Sequence, residues 1–216
     1  MMKCRALLVA AALVASFMLV PVWADSPLDD GMLDPAWFGE ALEFREAKGI
    51  DYLWVEPGFK LEGRTLRFAP WEEAEFRGED AGDRDAEDRA LAGKLTASLP
   101  VTFTRQFKYV LGSRVPLAES GEQVTAVGRL VDCSAGSGAA KAWVGMGAGA
   151  GSATFDLKFL DAATGELLAA VHHRVLSVSN SSTTESVLLN WANEFAKAVG
   201  KQGLDRLYTK GKRATE

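Results

Sequence analysis

The stretch from Trp143 to Val171 reads W-V-G-M-G-A-G-A-G-S-A-T-F-D-L-K-F-L-D-A-A-T-G-E-L-L-A-A-V, and it restricts the fold more than any other part of the chain. Gly145, Gly147, Gly149 and Gly151 recur at every second position, so in an extended backbone they share one bare face. Phe155, Leu157 and Phe159 then alternate with Thr154, Asp156 and Lys158, the period of a half-buried strand. The D-A-A-T-G turn at 161–165 leads into a second strand over about residues 166–178. A β-hairpin entered from a glycine-rich segment is therefore predicted. The bare face needs a cover, either a ring or backbone of the same chain, such as Trp143 or Phe76, or a partner. Trp143, Gly145, Gly147, Gly149, Gly151 and Trp71 form the candidate interaction surface.

The same glycines do not make a phosphate site. A nucleotide loop must follow a strand and open a helix, so that the helix N-terminus meets the phosphates; here the run opens a strand, and Lys141 precedes it. Charge also argues against polyanions. Lys3 and Arg5 lie in the N-terminal leader, which leaves 22 basic against 29 acidic residues in the remainder, and the only basic cluster is the tail Lys210, Lys212, Arg213. No nucleic-acid partner is expected.

The first 24 residues have the make-up of an export signal. Lys3 and Arg5 precede an apolar run from Ala6 to Val20, Pro21 closes it, and Val22-Trp23-Ala24 suits cleavage. The run is 15 residues, short of the roughly 20 that span a bilayer. Cleavage after Ala24 places a chain of 192 residues in the periplasm with no stable membrane span. Cys4 stands before the apolar run rather than at the cut, so lipidation is not expected. Cys133 is then the sole cysteine and is read as a buried thiol.

Residues 25–33 are read as a flexible lead-in, 34–208 as a single domain and 209–216 as a disordered tail. Asp34-Pro35 predicts a helix running past Phe44 to a stop at Gly49. Asp51–Val55 and Thr65–Phe68 read as short strands of one sheet edge. A helix is expected from Asp83 to Leu99, ended by Pro100, with 101–110 open between helix and strand. A strand follows over Glu122–Cys133 with Gly128 as a bulge, and Ser182 with Glu185 has capping-box spacing for a last helix to Val199. The order of elements predicts an α/β (α+β) domain: an antiparallel or mixed sheet with helices packed mainly on one face.

Catalytic signals are weak. His172 and His173 are adjacent in a strand, so they face opposite sides and cannot share one ion; one is expected exposed and one packed. Asp83, Asp85 and Glu87 alternate but lack the glycine of a calcium loop. No G-x-S-x-G elbow occurs. Trp54 and Trp191 are assigned to the core, and Trp71, beside a proline turn, is a candidate platform for a sugar or peptide. No cofactor, metal or catalytic residue is assigned.

With the residues laid out, G-R-L-V-D-C followed by the glycine run and D-A-A-T-G-E resembles a family of exported bacterial proteins of unknown function, many described as lipoproteins. The resemblance covers about Val124 to Val178 and implies an α/β envelope protein without catalytic residues. The expected function is a non-enzymatic periplasmic role in interaction or assembly, with another envelope protein or with copies of itself. The alternatives are a small-ligand or glycan-binding module, using Trp71 and Trp143, and a hydrolase.

Overall fold

The computed structural model describes residues 32–39, 42–136, 150–177 and 182–208. Trp143, Gly145, Gly147, Gly149, the leader and the tail lie outside the described residues, as does most of the lead-in. Six strands form one mixed sheet: β1 (Arg45–Ala47), β2 (Ile50–Val55), β3 (Leu66–Phe68), β4 (Val124–Ser134), β5 (Gly151–Asp161) and β6 (Leu167–Ser177), in spatial order β1-β2-β6-β5-β4-β3. All neighbours are antiparallel except β3 with β4. Helices α2 (Ala86–Leu111) and α3 (Thr184–Gln202) pack on one sheet face, and the short α1 (Pro35–Phe38) joins a small apolar cluster with Tyr52 and Ala170. The expected mixed sheet with helices mainly on one face is the fold observed.

The hairpin is the centre of the sheet. Asp161 accepts from the backbone N–H of Ala163 at 2.9 Å and Thr164 at 3.0 Å, which holds its carboxyl below the usual carboxylate range. Gly165 then turns the chain at φ +77°, a conformation that only glycine adopts freely. Phe155, Leu157 and Phe159 are fully buried against the helices. The polar side of β5 differs from expectation: Thr154 and Asp156 are buried as well, so the strand has cover on both faces.

Several boundaries move for identifiable reasons. The first helix ends at Phe38, because Gly39 at φ +96° caps it; Gly49, at φ +72°, instead turns β1 into β2. The segments 51–55 and 65–68 do not share an edge, since β6, β5 and β4 lie between them. Pro100 sits inside α2. It forfeits one helical hydrogen bond, at a cost of about 3 kcal/mol, but Leu99, Phe103, Phe107 and Leu111 continue the buried stripe, each worth about 1.5–3 kcal/mol. The capping box falls one residue later than expected: Thr183 and Ser186 bond reciprocally, which leaves Glu185 to pair with Lys94 of α2 at 2.6 Å.

Gly128 is not a bulge. It pairs in regular register with Leu157, and the irregularity lies between Leu130 and Asp132. Glycine is required there because Trp71 lies on it: a Cβ at residue 128 would stand 2.7 Å from Trp71 Cζ2 and 2.8 Å from Cδ2. Trp71 in turn stacks near Phe103, with ring centroids 5.9 Å apart. Gly128→Ala is therefore expected to lower unfolding stability by about 1–3 kcal/mol in urea melts. An unchanged midpoint would mean that the ring does not rest on this backbone.

Candidate functional site

The sheet face away from α2 and α3 carries the densest group of titratable side chains. The register builds it in cross-strand rows. Arg129 of β4 stands opposite Asp156 of β5, Asp156 opposite His172 of β6, and His172 opposite Tyr52 of β2. A second row places Asp132, Thr154 and Arg174 side by side, and a third places Lys158 between Val127 and Ala170. Cross-strand neighbours of opposite charge are close enough to pair directly.

Arg129 is the hub. Its Nε donates to Asp156 Oδ2 at 2.9 Å, Nη1 to Glu75 at 2.6 Å and Nη2 to Asp34 at 3.3 Å. Its guanidinium lies 4.6 Å from the centre of the Trp37 ring. The other oxygen of Asp156 meets His172 Nδ1 at 2.7 Å. Arg129, Asp156 and His172 are at most 2% exposed. Beside them Arg84 makes a two-point pair with Asp132, at 2.7 and 3.0 Å, and these bonds raise the Arg84 pKa further.

The N-terminal segment closes over part of this face. Trp37 donates its indole N–H to Glu72 at 2.7 Å, and Lys158 Nζ lies 4.0 Å from the centre of the Trp37 ring. Burial lowers the Lys158 pKa, with Arg129 acting in the same direction. Burial works against the charge of Asp34, but the hydrogen bond from Arg129 and the charge of Arg77, 3.1 Å away, outweigh it and hold the carboxyl low.

His172 and His173 do face opposite sides, as expected, but neither is exposed. His173 is on the helix side, stacked on Trp191 at 4.9 Å, with Nδ1 2.9 Å from Asp51 Oδ2. Burial opposes the charge of Asp51, yet His173 and the backbone N–H of Arg174, at 2.8 Å, keep its pKa below the ordinary value. Sequence reasoning missed both Asp–His pairs, because Asp51 and Asp156 are distant in the chain and only register joins them to the histidines. A carboxylate-oriented imidazole is two-thirds of a hydrolytic triad. Here no hydroxyl or thiol hydrogen-bonds to His172 Nε2 among the described residues, and that atom is buried.

Of the sequence-derived surface, Trp71 and Gly151 are described. Trp71 is buried beneath Gly128, so neither face of its ring is open for stacking a sugar. A Cβ on Gly151 would stand 2.6 Å from the Ala135 carbonyl oxygen and press on the Thr184 hydroxyl, which itself bonds Ser134 at 2.7 Å. This glycine thus serves close packing where β5 meets α3. Of the other tryptophans, Trp54 and Trp191 are half-buried against apolar clusters. Cys133 is buried, and burial pushes its thiol pKa up to about 12. Among the described residues no cluster of His, Cys, Asp and Glu could hold a metal ion, and no helix is long and apolar enough to cross a membrane.

Residues 58–178 match a family model described as a domain of unknown function (DUF4410), and the chain belongs to that family. The family segment contains the 124–178 stretch on which the sequence resemblance rests. No curated protein matches the chain. Among solved structures it is similar to the PelC dodecamer from Paraburkholderia phytofirmans, at 12% identity and TM-score 0.43, covering 67% of this chain and 96% of that one. It is also similar to protein XCC0632 from Xanthomonas campestris, of family-model DUF330, at 13% identity and TM-score 0.43, covering 70% of this chain and 90% of that one. At such values, function has to be argued from the residues of this chain.

The lowered Asp51 pKa has a definite sign in linkage. Its folded pKa lies below the unfolded one, so its stabilisation is present at neutral pH and is lost as pH falls through the folded value. Urea midpoints measured from about pH 6 down to about pH 3 should fall more steeply for the parent than for Asp51→Asn. Parallel curves would contradict the assigned Asp51–His173 pairing.

Proposed function

We propose that this DUF4410 member is an exported, non-enzymatic protein of the bacterial cell envelope that works in the periplasm by binding an envelope partner or copies of itself. One observation carries the non-enzymatic part. The strongest titratable cluster, Arg129–Asp156–His172, is buried and closed by ion pairs, so a substrate has no path to it without unfolding the segment above. Groups spent on mutual pairing hold a sheet face together; they are not poised for proton transfer. The positively charged, apolar leader ending at Ala24 supports export. The inert Cys133, alone after cleavage, suits an oxidising compartment because no thiolate is offered for disulfide exchange.

A second reading, a small-ligand module, has one specific support: a groove beside Trp71, between the segment after β3 and α2. The buried ring face argues against sugar stacking at that residue, so any ligand there meets the groove wall and not an aromatic platform.

Cell fractionation with N-terminal sequencing tests the export claim, and light scattering of the purified protein at micromolar concentration tests assembly. The expected result is periplasmic protein beginning at Asp25, either self-associated or isolated with a stoichiometric envelope partner. Cytosolic protein that retains Met1, or a monomer without a partner, would overturn the proposal.

A further inference from the structure

The charged sheet face holds a segment of its own chain much as a receptor holds a peptide. Asp34 Oδ2 lies 3.1 Å from Arg77 Nη1 and 3.3 Å from Arg129 Nη2, so two guanidiniums share one carboxylate oxygen. The other oxygen, Oδ1, caps α1 at 3.2 Å. Three residues on, the Trp37 ring centre lies 4.6 Å from the Arg129 guanidinium and 4.0 Å from Lys158 Nζ. The Trp37 indole N–H donates to Glu72 at 2.7 Å. A carboxylate shared by two arginines and an indole faced by two cations are strong, geometry-selective contacts.

The segment is attached chiefly through side chains. Among the described residues no backbone hydrogen bond joins residues 34–39 to a strand; the Trp37 and Gly39 N–H groups donate within the segment, to Asp34 and Ala36, at 3.1 Å each. The Trp37 carbonyl accepts from Lys158 Nζ at 3.3 Å. Phe38 anchors the far end on Phe44, with ring centroids 5.3 Å apart, in the small apolar cluster and outside the main core. Lifting residues 34–37 about that anchor leaves the pairs of the sheet in place. Arg129 keeps Asp156 at 2.9 Å and Glu75 at 2.6 Å, and Arg77 keeps Glu75 at 2.9 Å. The receiving residues Glu72, Arg77, Arg129 and Lys158 all fall within the family segment 58–178, whereas Asp34 and Trp37 precede it. The receiving face thus belongs to the family domain and its present occupant does not.

We propose, resting on the partner-binding reading above, that this face docks an acidic–aromatic segment of an envelope partner, a carboxylate three residues ahead of a tryptophan, and that Asp34 and Trp37 mask it in cis. Arg77 and Arg129 take the carboxylate; Arg129 and Lys158 take the ring, with Glu72 on its N–H. A tethered segment competes at an effective concentration of roughly millimolar, so the partner binds only by displacing it.

Fluorescence anisotropy with a labelled, end-blocked peptide of residues 32–39 tests this on the full mature chain. The opened variant Asp34→Asn/Trp37→Ala should bind the peptide saturably and one-to-one, at least about tenfold more tightly than the parent does. An Asp34→Asn or Trp37→Leu change in the peptide should weaken that binding about tenfold, as should Arg77→Gln or Lys158→Met in the opened chain. No saturable binding to the opened variant, equal affinity for parent and opened variant, or indifference to Asp34→Asn in the peptide would overturn the proposal. Self-association of the parent that the opened variant loses would also overturn it, by making a second copy the occupant. A parent that copurifies with an envelope partner while the opened variant binds no peptide would leave the partner-binding reading standing and remove this face from it.

Discussion

The contact between Arg129 and Asp156 is the constraint on which the rest of this fold depends. β4 and β5 pair over their whole length beside the central β5–β6 hairpin, and that one cross-strand pair lies on the face that the long helices do not cover. Burying two charges costs several kcal/mol each unless every donor and acceptor is answered. The answer here recruits segments far apart in sequence: Glu75 from the strip beside β4, Asp34 from the start of α1 and His172 from β6. Each is positioned by backbone geometry. Glu75 is placed by its own N–H bonding Leu130 at 2.9 Å, and Asp34 by its role as the cap of α1.

The opposite face obeys a different rule, that of close apolar packing. Phe155, Leu157 and Phe159 meet α2 and α3, and the sheet is thin where Trp71 needs space, at Gly128. The two faces are coupled through the strip after β3. Its Glu72 N–H bonds Gly128 at 2.9 Å; Trp71 points to the helices, while Glu72 and Glu75 reach Trp37 and Arg129 on the charged side. A single extended segment thus contributes to both layers. Both outer strands are also flanked: Tyr208 bridges to Ala47 beside β1, and Leu117 bridges to Leu66 beside β3. Covered edges of this kind limit sheet-to-sheet association.

The hairpin, the last helix and the mixed sheet were legible in the sequence because local patterns encode them: the alternation around Leu157, the Asp161 turn and the apolar repeat from Leu188 to Val199. What was not legible is set by long-range contact. Pro100 reads as a helix stop until the buried stripe beyond it is seen. Gly128 reads as a bulge until Trp71 is placed over it. Asp156 and His172 read as a solvent-facing acid and an unremarkable histidine, because their burial depends on register and on the return of the N-terminal segment. The charged face therefore had little local signature. Arg129 interrupts the apolar residues of β4, and that mismatch was the available clue.

A double-mutant cycle on Arg129 and Asp156 addresses the central claim directly. Arg129→Met and Asp156→Leu each leave a buried charge without its main partner, so each should cost about 3–5 kcal/mol in equilibrium unfolding. Together they should cost clearly less than the sum, with a coupling of at least about 2 kcal/mol. Strictly additive losses would contradict the account, since they would mean that the two charges are stabilised independently and that the pair does not organise the sheet.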